Sequence, residues 1–180
     1  MSKPPAAPVP DAVPQTRTML RFALLMCVYY VVFDQAYQAL PSGLLHDRLY
    51  LRLFGQPTAE LVSLLRPDEG IVAFSNRIGS PLASLEIVRG CDGSGVLFLV
   101  CGAVLAFPAT WRMRAIGLCL GAALVYALNL LRLGGLYFIL AYRTAWFQPV
   151  HTFVLPTLLV VIVALYYLAW LGKATPARRA

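Results

Sequence analysis

The residues of this 180-residue chain best suited to chemistry are Cys91, Arg132 and His151. Cys91 stands in a glycine-rich turn, Val88-Arg-Gly-Cys-Asp-Gly-Ser-Gly95, just ahead of an apolar run that ends at Pro108. If that run is a helix, Cys91 meets its N-terminal end, where unpaired backbone N–H groups and the positive end of the helix dipole favour a thiolate. A thiol so placed can attack a carbonyl, an imidazole can carry its proton, and a guanidinium can stabilise the oxyanion or orient the substrate. Around this set stand Asp92, Gly93, Asn129 and Tyr126. Asp92 and Ser94 suit capping of the helix that follows, and Gly90, Gly93 and Gly95 would admit a substrate backbone close to the turn. Tyr126, Asn129 and Arg132 recur at i, i+3 spacing and form one polar stripe on a helix.

The elements that must position these groups are membrane helices. Hydrophobic residues make up 59% of the chain and charged residues 13%, against about 25% charged in ordinary soluble domains. The composition indicates an all-α integral membrane protein with about four transmembrane helices. An outward loop would carry short helices and a β-hairpin. The net charge of +7 would suggest nucleic acid in a soluble protein. Here the basic residues lie scattered at loop edges, which is a matter of topology, so no nucleic-acid partner is expected. Cys27, Cys101 and Cys119 fall within apolar runs and read as small packing residues. No CxxC occurs and neither a disulfide framework nor a cofactor is expected.

In chain order, residues 1–19 read as a cytoplasmic tail, proline-rich and disordered at its start, and Leu20–Leu40 as the first span. No small-x-small site follows to mark a cleaved signal peptide. The loop 41–90 begins with an amphipathic segment, Leu44–Phe54, suited to a membrane surface. A short helix follows over Thr58–Leu65 with Thr58 as N-cap, and Ile71–Phe74 with Ala83–Val88 suggest a β-hairpin. Three more spans follow. Gly93–Thr110 is eighteen residues without a charge, Ala115–Leu131 seventeen, and Thr152–Gly172 twenty-one. The Gly117-x-x-x-Gly121 pair suits close helix contact. Whether 133–142 extends the third helix or lies at the interface stays open. Residues 20–172 form the membrane domain and 173–180 a basic cytoplasmic tail.

Placing both termini inside puts eight Lys and Arg against one acidic residue there, and seven against seven outside. The positive-inside rule therefore turns loop 41–90 and Cys91 outward. Seventeen helical residues rise about 25 Å, near the thickness of the hydrocarbon core. The descent from Cys91 and the return to Arg132 thus bring both to one level, where His151 opens the last span. Taken singly, Arg132 also suits snorkelling to lipid phosphate, and His151 an interfacial place. Their coincidence with Cys91 at one depth favours catalysis. A metal site of Cys91, Asp92 and His151 has only three ligands and no paired spacing, and no metal is expected.

This order of features resembles the exosortase/archaeosortase family of membrane cysteine transpeptidases. Cys91-Asp92-Gly93 opens one helix, Asn129-x-x-Arg132 closes the next, and His151 opens the last, over roughly residues 55–172. The family commonly has Ser or Asn after the cysteine and a small residue before it. Asp92 and Gly90, with Arg89 ahead of them, mark a divergent and short member. The resemblance implies that Cys91, Arg132 and His151 are the catalytic set. It further implies cleavage of exported proteins that end in a recognition motif, a hydrophobic helix and a basic tail. Cleavage would occur at the outer face of a bacterial cytoplasmic membrane, in a setting linked to surface polysaccharide. The other reading from the sequence is a non-enzymatic assembly or docking protein for an exported partner.

Overall fold

The structure, a computed structural model, describes residues 13–174. It is mostly helical, with one small sheet. Helix α1 spans Val13–Gln38, so the described part of the expected N-terminal tail is helical, while residues 1–12 and the basic end 175–180 lie outside the described residues. Three stretches are long and apolar enough to cross a membrane: Arg17–Gln38, Trp111–Tyr142 and Thr144–Ala174. The expected second span is shorter than its uncharged run. The helix there, Ser94–Ala106, stops because Phe107 precedes Pro108 and takes an extended backbone, φ −75° and ψ 136°, the conformation favoured before proline. Its thirteen residues rise about 20 Å.

Loop 41–90 folds as a cap over the upper ends of the long helices. Leu45–Gly55 winds in wide turns and runs directly into α2, Gln56–Leu65, with Pro57 in the first turn, where its missing N–H costs nothing. The expected N-cap, Thr58, is therefore inside the helix. It is fully buried and its hydroxyl has no partner among the described residues. Part of the apolar side of the amphipathic stretch packs against the protein: Leu45 and Tyr50 are buried in a core with Val62, Ile78, Leu85, Leu133, Leu136 and Tyr137. Three strands follow, β1 Val72–Phe74, β2 Arg77–Gly79 and β3 Ser84–Glu86. They form an antiparallel meander in which Ile78 faces Ala73 on one side and Leu85 on the other. The two stretches expected to pair with each other are thus separated by a strand. Ser75, with φ +52°, lets the chain reverse in two residues, and the Asn76 amide ties the far strand by donating to Glu86 Oε1 at 3.0 Å and Ile87 O at 3.1 Å.

Helices α3 (Ser94–Ala106), α4 (Trp111–Tyr142) and α5 (Leu155–Ala174) complete the chain. Thr110 caps α4, its side chain accepting from Met113 N at 3.4 Å. The helix runs unbroken past Arg132, so 133–142 extends the third helix, into the core beneath the sheet. Tyr137 and Tyr142 both bond Glu69 of the cap, which ties the upper part of α4 to the loop.

Glycines set the register of these helices. Descending from Asn129, α4 meets α3 at Gly93, Val100 and Val104 in turn, through Asn129, Gly121 and Gly117. It meets α5 at Tyr166 and Trp170 through the same two glycines, where Tyr166 Oη donates to Gly117 O at 2.6 Å and Trp170 Nε1 to Met113 O at 2.9 Å. A Cβ on Gly117 would stand 2.6 Å from Trp170 Nε1, whereas one on Gly135 would meet nothing within 4 Å. We expect Gly117→Ala to lower the melting temperature in detergent, with overpacking costing about 1–3 kcal/mol. Gly135→Ala should be neutral or stabilising through helix propensity. Equal melting temperatures for the two variants would contradict this register.

Candidate active site

Extending that register upward fixes what the turn at 88–95 can meet. Gly93 lies against Asn129, so Arg132, almost one turn further along α4, rises to the level of the turn that holds Cys91. On the other side, the spacing that pairs Gly121 with Tyr166 and Gly117 with Trp170 brings Leu155 opposite Arg132. His151 stands one turn above Leu155, in the wide turns Val150–Val154 that lead into α5. The structure accordingly brings Cys91 and His151 together, with Cys91 Sγ and His151 Nε2 hydrogen-bonded at 2.9 Å.

Both line a cleft of about 320 Å³ between the sheet and the upper ends of α4 and α5, walled by Leu85, Val88, Leu133, Leu136, Leu140 and Phe147. The Phe147 ring packs on His151 with centroids 5.4 Å apart. Thiol and imidazole, both half-buried, therefore line a mainly apolar slot.

Arg132 is only 7% exposed. Its charge reaches Cys91, Asp92 and His151, yet it makes no hydrogen bond or ion pair among the described residues, and its buried Nε has no partner. A buried guanidinium without a direct acceptor is costly. Asn129 beneath it is fully buried, and neither its amide nitrogen nor its oxygen has a partner among the described residues. Arg132, whose charge reaches the thiol, and Asn129, which lies against Gly93 of the turn, thus keep hydrogen-bonding capacity in reserve.

The turn itself is held from below. Gly90 and Gly93 have φ of +88° and +77°, a region that side chains with a Cβ avoid. A Cβ on Gly93 would also press on Asn129 at 3.2 Å, so this glycine serves turn geometry and helix contact. Asp92 is 5% exposed. Its Oδ1 accepts from Ser94 Oγ at 2.8 Å and from Ser94 N at 3.3 Å, a local turn bond ahead of the helix. The N-cap position itself is Gly93 and carries no side-chain cap, so the capping expected of Asp92 and Ser94 is not what holds the helix start. Its Oδ2 accepts from Tyr37 Oη, and the Tyr37 and Tyr50 hydroxyls are bonded at 2.6 Å.

Tyr37, Tyr50 and Arg89 are contributors that the sequence reading did not single out. Arg89 lies over the Tyr37 ring and donates to Gln38 O at 2.8 Å and Leu40 O at 2.7 Å, closing the end of α1 against the turn. Only the position of Tyr37 on the last turn of the first span could have hinted at this. Tyr126 goes elsewhere. It packs on Phe54 with centroids 5.9 Å apart and lines the pocket on the α1 side of Asp92 and Gly93, apart from the cleft.

Burial pushes the Cys91 thiol above its ordinary pKa. The Arg132 guanidinium pulls it down and the Asp92 carboxylate pushes it further up. Burial thus works against the thiolate that the helix end would favour. The thiol sulfur and His151 Nε2 share the hydrogen bond, and burial favours the protonated form of the thiol. Comparison with known proteins gives no match: no family model, no curated protein and no solved structure matches the chain.

In a variant that retains Cys91 as its only cysteine, the iodoacetamide alkylation rate should rise with pH, its midpoint above the ordinary cysteine value of about 8.5. Arg132→Gln removes the cation that favours the thiolate and should move the midpoint up. Asp92→Asn removes the opposing anion and should move it down. A midpoint below the ordinary value, or one that neither substitution shifts, would contradict this account of the site.

Proposed function

We propose that this chain is a membrane-embedded cysteine peptidase or transpeptidase of the exosortase/archaeosortase kind. Its substrates would be exported proteins with a C-terminal motif, hydrophobic helix and basic tail. The observation that carries the reading is the hydrogen bond between Cys91 and His151, with the unpaired Arg132 at the same level. In the reaction, Cys91 Sγ attacks the peptide carbonyl carbon as its proton passes to His151 Nε2. The carbonyl oxygen becomes an oxyanion, for which Arg132 offers donors and the nearby Asn129 amide a second candidate. The C–N bond then breaks, His151 protonates the leaving amine, and an acyl thioester remains on Cys91. Water or an acceptor amine attacks that thioester, giving its proton to His151, and the thiol leaves.

The raised thiol pKa favours this order of events, since a thiol that keeps its proton needs the imidazole as base during attack. The charge distribution supports a cytoplasmic-membrane location with both ends inside and the site facing outward. At that boundary the thiol would meet a peptide bond just outside the substrate's own helix. Asp92 and Gly93 act here by shaping the turn, and Tyr126 through the neighbouring pocket.

Co-expression with an exported protein bearing such a C-terminal signal tests the reading by the C-terminal mass of the product. The unaltered chain should remove the helix and basic tail. Cys91→Ala, His151→Ala and Arg132→Ala should each slow processing by at least about 100-fold while the protein accumulates normally. Full maturation with Cys91→Ser would instead favour a docking protein that does no chemistry.

A further inference from the structure

Below Arg132 the structure holds a second feature that the cleft does not use. Helices α4 and α5 part to leave a groove of about 170 Å³ lined by Leu128, Leu131, Leu155, Leu158, Leu159 and Ile162, with Arg132 as its one charged member. Leu131 and Leu158 stand at its rim, 61% and 51% exposed, so the groove opens sideways, along a face suited to lipid. From Leu155 to Ile162 it runs about 10 Å.

The groove is narrow, and a single alkyl chain is slender enough to enter it. At the head of the groove Arg132 is 93% buried, its exposure being 7%, and its Nε lacks a partner. The nearest carboxylate, Asp92, has its oxygens engaged by Tyr37 and Ser94 and forms no ion pair with Arg132 among the described residues. A cation without a direct partner at the top of an apolar slot calls for an anion that carries an alkyl chain.

We infer that the α4/α5 groove is a binding site for an anionic phospholipid, one acyl chain lying along Leu128–Ile162 and the headgroup phosphate on the Arg132 guanidinium. The planar guanidinium suits paired phosphate oxygens. The site does not require the peptidase reading, because the lipid binds whether or not Cys91 acts as a nucleophile.

The test uses the full chain in dodecyl maltoside micelles with a phosphatidylglycerol that carries a diazirine in one acyl chain. Photolabelling should fall on the α4 and α5 peptides that contain Leu128, Leu131, Leu158 and Ile162. Unlabelled phosphatidylglycerol should compete at least ten-fold better than phosphatidylcholine. Leu158→Trp, which fills the groove, should cut the labelling five-fold or more. Arg132→Gln should abolish the preference for the anionic lipid, and Arg132→Lys should keep most of it, so one variant that folds poorly does not decide the matter. Equal competition by the two lipids, labelling spread evenly over the exposed leucines of α1, or labelling indifferent to Leu158→Trp would each overturn the inference. The readout is labelling alone, so failure of peptide processing leaves it unaffected, and the reverse holds as well.

Discussion

The close approach of α4 to both α3 and α5 through Gly117 and Gly121 is the constraint on which the rest of the molecule depends. With no Cβ at these points, Val104 and Val100 come in from one side and Trp170 and Tyr166 from the other. Small residues permit such approach, and dispersion with the hydrogen bonds to Gly117 O and Met113 O holds it. Helices are stiff, so a register fixed there is fixed several turns higher as well. Cys91, Arg132 and His151 come from three different elements, yet they share one level because the three helices are locked together at the opposite end.

The upper end is built differently. Its core is assembled from the cap, the sheet and the last turns of α4, with polar ties at Glu69 and Asn76. Within it the Cys91 turn is held by the Asp92 carboxylate, itself gripped by Tyr37 and Ser94. Rigidity below and beside the thiol contrasts with unused donors next to it, on Arg132 and Asn129. Burying such groups unpaired works against stability, and a site that must receive an oxygen-rich ligand is where that cost has a use.

Much of this was legible in the sequence because long apolar helices announce themselves by length and by absence of charge. Counting residues down one helix and up the next was enough to bring Cys91 level with Arg132, since 1.5 Å per residue holds on both sides. The cap was harder to read. Arg77-Ile78-Gly79 resembled part of a turn, with Asn76 before it and Ser80 and Pro81 after, although Ile78 is a buried strand residue. The Leu44–Phe54 periodicity suggested a lipid surface because a sequence does not reveal that another part of the chain, the end of α4, covers part of the apolar side. Likewise Tyr37 in an apolar helix has no local mark of its bond to Asp92, fifty-five positions away. The upward push on the thiol's pKa also escaped the sequence, since helix position is a local property and burial is a tertiary one.

The juxtaposition of positions 91 and 151 is the central claim, and proximity between them can be measured without any substrate. In a chain whose only cysteines are Cys91 and one introduced by His151→Cys, the shortest bifunctional methanethiosulfonate reagent should bridge the two rapidly in native membranes. The bridge should form much faster than in a control chain carrying only Cys91 and Cys119, which lies on the lower part of α4. Bridging at the same slow rate in both chains would mean that the thiol and the imidazole do not meet, and the site described here would not exist.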